Sequence, residues 1–184
     1  MRYRGPVIIV VILALLPAWL GLAAPPVRAD TPWQRPAEDA TWLATLNAYR
    51  ALAAQAPVQD DPAASADCRL HARYIVETNT LQHREDSASP WYTDAGDRAA
   101  RESDLAAGPG PTAERAAVEI WLTAPFHALP LVSPRLATAG YGAYTKPQAG
   151  GAFGWGGCLN VIRGQTTRPA ATRYPVRWPA ADGL

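Results

Sequence analysis

From Asp39 onward apolar positions recur every three or four residues: Trp42, Leu43, Leu46, Tyr49 and Ala53 share one face of a predicted helix, with Asp39 as its expected N-cap. After a break at Pro57, Asp61-Pro62 pairs a capping side chain with proline at the first helical position, which predicts a second helix ending near Thr78. Its inward stripe is Ala64, Cys68, His71 and Ile75, flanked by Leu70 and Tyr74. The periodicity then lapses. Residues 81–111 are rich in Ser, Asp, Gly and Pro with few large apolar positions, so a long loop is expected, of the kind that in compact domains is functional or mobile. Within it Leu105-Ala106-Ala107 suggests no more than a short helical turn. Thr112 is expected to cap a third helix, 113 to about 123, that turns Ala117, Ile120 and Trp121 inward.

Pro125, Pro130 and Pro134 forbid a continuous helix beyond Thr123. Residues 137–144 and 151–163, rich in Gly, aromatic and β-branched residues, predict two antiparallel strands joined by a turn over 146–150. Residues 174–179 alternate but are bracketed by prolines, which allows at most an edge strand. Helices followed by a glycine-rich hairpin predict an α+β fold, with helices packed on a small, mostly antiparallel sheet. The absence of strand–helix alternation argues against a dinucleotide-binding architecture.

The N-terminus changes the picture of where the chain works. Arg2 and Arg4 precede an apolar run over 7–22, and Val27 and Ala29 suit a cleavage site, so residues 1–29 read as a secretory signal peptide and the protein as extracellular. The alternative is an uncleaved segment that anchors the domain on the outer face of a membrane. Removing Arg2, Arg4 and Arg28 leaves 14 of the 17 basic residues against 16 acids, a net charge of −2 without a basic stripe, so nucleic acid is not an expected partner. The remaining length of about 155 residues suits one domain. It divides into an extended lead-in over 30–37, a folded part over 38–164 and a proline-rich tail over 165–184. Cys68 and Cys158, in an oxidising compartment and without C-x-x-C spacing, predict one disulfide rather than a zinc site, the alternative being two buried thiols.

Only three histidines are present, and two stand in aromatic- and proline-marked segments: His83 ahead of Trp91, and His127 at the end of Trp121-Leu122-Thr123-Ala124-Pro125-Phe126-His127. Imidazole titrates near neutral pH and ligates transition metals, so these are the first candidates for chemistry. His71, on the packed side of the second helix, is expected to be a core residue. Neither a G-x-S-x-G elbow nor an H-E-x-x-H helix occurs. Trp91, Tyr92, Trp155, Tyr174 and Trp178 are candidate contact surfaces, although packing is the simpler role for Trp155.

The order of landmarks resembles the CAP superfamily of cysteine-rich secretory proteins, antigen 5 and plant pathogenesis-related protein 1, and within it the bacterial branch. Leu46-Asn47-Ala48-Tyr49-Arg50 matches its L-N-x-x-R signature. His71-Ala72, His83, Ser103-Asp104-Leu105-Ala106, Trp121 through His127 and Ala139-Gly140-Tyr141-Gly142 follow in the family's order. The resemblance implies a three-layer α/β/α sandwich with a cleft formed by two histidines and two carboxylates, where some members bind a divalent metal such as zinc. The histidines carry over to His83 and His127, which become the tentative metal ligands. The carboxylates depart from the pattern: the first falls on Ser103, with Glu102 one residue out of register, and the second on Ala124. Two imidazoles are fewer than the three protein ligands of a catalytic zinc site. The expectation is therefore a binding module more than an enzyme, with His83, His127, Glu102, Ser103 and Trp121 around a cleft for a small lipid or glycan ligand or an envelope component. The competing expectations are a metal-assisted hydrolase of an envelope polymer, in which Glu102 polarises water, and a structural envelope protein.

Overall fold

The structure is a computed structural model that describes residues 34–147, 152–167 and 176. The expected signal segment 1–29, most of the turn over 146–150 and all of the tail segment 174–179 except Val176 lie outside the described residues.

Helix α1 runs Trp42–Leu52 and α2 runs Pro62–Thr78. The α2 cap is as expected: the Asp61 side chain accepts from the Ala63 and Ala64 amides, and Pro62 leads the first turn. The α1 cap is Thr41 rather than Asp39. Its hydroxyl accepts from Ala44, and the Glu114 carboxylate, from another helix, accepts from the Trp42 amide at 2.8 Å. Leu70, expected to flank the buried stripe of α2, is exposed, whereas Val76 is buried.

Between them and the hairpin lies the main correction. The expected loop 81–111 contains helix α3, Asp94–Glu102, and strand β2, Ser103–Gly108. Leu105-Ala106-Ala107 is extended strand, not a helical turn. Thr93 caps α3 through the Gly96 amide, and its inner face is built from Gly96, Ala99 and Ala100, too small to register as an apolar stripe. Helix α4 is Glu114–Thr123, but Thr112 does not cap it, and Val118 rather than Ile120 faces inward with Ala117 and Trp121. The break after Thr123 is one extended residue, Ala124, from which Pro125 starts a short helix α5, Pro125–Leu131, with Pro130 in its last turn.

The sheet has the order β1-β3-β4-β2, where β1 is Gln59–Asp60, β3 is Thr138–Thr145 and β4 is Trp155–Asn160. Only β1 is parallel to its neighbour; the expected hairpin β3–β4 and the added β2 are antiparallel. Alternation along the strands sends side chains to two layers. Ala106, Ala139, Tyr141, Trp155 and Leu159 pack with Trp42, Leu46, Ala117, Val118, Trp121 and Leu131 of α1, α4 and α5. On the other face Leu105 and Cys158 pack with Cys68, Ile75 and Ala99 of α2 and α3. The result is the three-layer α/β/α sandwich. The Cys68–Cys158 disulfide joins α2 to β4 across that second layer, with Cα atoms 5.2 Å apart. Helix α2 sits directly on β3: a Cβ on Gly140 would stand 2.5 Å from the Ser65 amide nitrogen, so only glycine admits this approach.

Candidate functional site

Each of the two singled-out histidines is held through Nδ1, and both holders come from one short segment where α3 runs into β2. His83 Nδ1 lies 2.8 Å from the Ala100 carbonyl, which can only accept, so Nδ1 carries the proton. His127, the third residue of α5, places Nδ1 2.6 Å from Asp104 Oδ1. A carboxylate at that distance takes the Nδ1 proton as a hydrogen-bond acceptor. In both rings the tautomer so fixed leaves Nε2 free to meet a ligand.

Asp104 is 6 % exposed, and its Oδ2 is buried without a hydrogen-bond partner. Burial raises its carboxyl above the ordinary aspartate value, while the hydrogen bond and charge of His127 and the charge of His83 pull it down. The three side chains thus form one electrostatic unit. Nothing in the sequence pattern singles out Asp104. As neighbours on β2, Ser103 and Asp104 turn to opposite faces of the sheet.

The other expected cleft residues, Glu102, Ser103 and Trp121, make contacts of their own. Ser103 is buried on the α2 side, its hydroxyl 3.5 Å from Cys68 Sγ. The Glu102 carboxylate is held by Asn160 Nδ2 at 3.0 Å and Arg163 Nε at 2.9 Å, and Arg163 also reaches Asp67 of α2 at 3.0 Å. These partners tie the end of α3 to the end of β4, and neither histidine is among them. Trp121 is fully buried, edge-on to Tyr141 with ring centroids 6.3 Å apart, and its Nε1 is unpartnered. It belongs to the floor beneath α4. Trp155 is packed in the core, and Trp91 lies beneath the Arg73 guanidinium, 4.3 Å from the ring centroid.

Beneath the loop that carries His83, His71 and Glu85 form a fully buried pair at 2.9 Å. Glu85 Oε2 accepts from the Thr93 amide, and the Glu85 amide donates to Asp97. Burial lowers the His71 value, opposed chiefly by Glu85. This pair pins the loop to α2 and to the start of α3, and so sets the height at which His83 stands.

A metal centre finds no fit. Among the described residues no group of three or more His, Cys, Asp or Glu side chains is placed to hold an ion. With Nδ1 of the two histidines held by Ala100 and Asp104, two Nε2 nitrogens remain, fewer than the three protein ligands of a catalytic zinc site. Among the described residues, no helix is long and apolar enough to cross a membrane.

Comparison with known proteins adds one assignment. The model of the CAP family, described as the cysteine-rich secretory protein family, matches residues 43–158, more than half of the 184-residue chain. No curated protein matches the chain. Among solved structures the chain is similar to an extracellular protein containing an SCP domain from Bacillus anthracis, with 17 % identity and a TM-score of 0.47. The match covers 66 % of this chain and 39 % of that one, so this chain spans well under half of that protein. The chain belongs to the CAP, or cysteine-rich secretory protein, family.

Proposed function

We propose that this domain is a secreted binding module whose cleft, framed by His83, Asp104 and His127, takes a small ligand of lipidic character. The observation that carries the reading is the pair of imidazoles fixed through Nδ1, at 2.8 Å and 2.6 Å, with Nε2 of each left over. Two oriented acceptor nitrogens beside a buried carboxylate suit a ligand bearing a hydroxyl or an acid proton. The lipidic character rests on α5, the helix that carries His127: its Phe126 and Leu129 are 87 % and 64 % exposed, and with α4 it forms a groove of about 350 Å³ lined by Leu122, Pro125, Ala128, Leu129 and Val132. Residues 1–29 supply the export address.

The test is a thermal-shift screen of dialysed protein against palmitate, a sterol and cell-wall glycan fragments. A ligand present at about one hundred times its Kd stabilises by roughly 2.7 kcal/mol, which raises Tm by several degrees. The expected result is a shift with palmitate or the sterol that is lost in His83→Ala and His127→Ala. A shift with glycan alone moves the ligand to an envelope polymer, and no shift with any of the three rejects the binding-module reading.

A further inference from the structure

Among the described residues, strands cover the outer side of β3 for only part of its length. Lys146 N donates to Gly154 O at 2.9 Å, so even-numbered residues of β3 turn their backbone groups toward β4. Odd-numbered residues turn theirs outward: Ala139 O accepts from Asp61 N at 2.8 Å, and Tyr141 N donates to Ser65 Oγ at 3.0 Å. The alternation carries on to Ala143 and Thr145, whose N–H and C=O groups face away from β4. Strand β1 ends opposite Ala139, and among the described residues no strand flanks 141–145 on that side. An uncovered strand edge of this kind is a template for another chain.

Beside that edge lies a slot of about 270 Å³ between the two helical layers. Ser65 and Arg69 of α2 form one wall, Trp42 and Glu114, the first residues of α1 and α4, form the other, and Tyr141, Gly142 and Ala143 form the floor. The slot occupies the place of a further strand. Its carboxylates are held in position: Glu114 accepts from the Trp42 amide and Asp60 from the Ser65 hydroxyl, each at 2.8 Å. Glu114 thus faces Arg69 across the slot, and Asp60 stands at the Ser65 end.

We propose that the edge of β3 over 141–145 is a strand-addition site for an extended peptide carrying a basic side chain. Backbone pairing with Ala143 and Thr145 supplies the attachment, and the side-chain alternation of the added strand aims one face at Trp42 and Glu114 and the other at Arg69. A basic group on the first face meets a carboxylate beside an indole. A second copy fits less well: two β3 edges paired antiparallel about a two-fold axis perpendicular to the sheet bring each wall beside its own kind, so like charges meet on both. The site is at the opposite side of the sheet from β2 and Asp104, and it does not depend on the cleft.

The experiment uses ¹⁵N-labelled full chain titrated with the peptides Ac-Thr-Val-Lys-Val-Thr-NH2 and Ac-Thr-Val-Glu-Val-Thr-NH2. The expected result is that the lysine peptide moves the Ala143 and Thr145 amide resonances and that the glutamate peptide binds about tenfold more weakly. Ala143→Pro removes an outward donor while leaving the ladder to β4, and it is expected to abolish the response without moving the His83 and His127 signals. If that variant loses the native spectrum, Glu114→Gln takes its place and is expected to bring the two peptides to equal affinity. Lysine-peptide shifts that miss Ala143 and Thr145, or equal binding of both peptides by the unmutated chain, overturn the proposal. So does a concentration-dependent doubling of mass, which would assign the edge to a second copy.

Discussion

The ionisation of Asp104 is set by two opposed effects, burial that favours the neutral acid and neighbouring imidazoles that favour the anion, and burial is the larger. Its folded value therefore lies above the unfolded one. The folded chain binds this proton more readily than the unfolded chain, so the associated stability is present at acid pH and is lost as pH rises through the raised value. Asp104→Asn removes that slope: denaturant unfolding of both proteins from pH 4 to pH 7 should show the asparagine variant gaining on the aspartate one as pH rises. The same substitution should release the His127 tautomer, visible as a change in its ring ¹⁵N shifts, because an amide no longer favours the Nδ1 proton as a carboxylate does. Unchanged ring shifts would remove Asp104 from the site. The histidines were legible in the sequence because they are scarce and stand in marked segments. Asp104 was not, because a strand of Ser, Asp and Ala shows no apolar alternation, and because its partner is 23 residues away on α5.

Among the elements, those whose inner faces carry large apolar side chains at regular spacing were legible: α1, most of α2 and the β3–β4 hairpin. Helix α3 and β2 were not, since Gly96, Ala99, Ala100, Ser103 and Asp104 bury small or polar groups whose partners are distant in sequence. The link between α1 and the α5–β3 connection shows how such distant partners act. Arg50 is fully buried and donates to the carbonyls of Ala56 at 2.8 Å, Leu131 at 2.5 Å, Ser133 at 3.0 Å and Leu136 at 3.2 Å. Burial pulls its value down to about 10, so it remains charged at neutral pH. Arg50→Met takes a buried donor from each of those carbonyls and should cost about 3 kcal/mol or more in urea denaturation. Arg50→Lys, which has no planar fork, should recover only part of that loss. A cost under about 1 kcal/mol for the methionine variant would mean that water replaces the guanidinium at those carbonyls.

At the scale of the whole molecule, one sheet lies between two unlike helical layers. One is a broad apolar core under α1, α4 and α5; the other is a smaller core under α2 and α3, reinforced by the disulfide. Closing a loop with a sequence separation of 90 restricts the unfolded chain, so Cys68→Ala with Cys158→Ala should lower stability by about 4 kcal/mol in denaturant unfolding at constant m-value. A loss below about 1 kcal/mol would place the work of holding that layer on α2–β3 packing alone. The bridge also has a consequence for the chain as a covalent object. His83, Asp104, His127 and the whole of β3 lie between its two ends. A peptide bond cut anywhere over 69–157, for instance at the exposed Pro109 or Pro111 after β2, leaves two fragments that remain one molecule until a reductant is added. A nicked form is therefore invisible to size measurements made under oxidising conditions. It is also free to alter the relative placement of the two histidines without either half being lost.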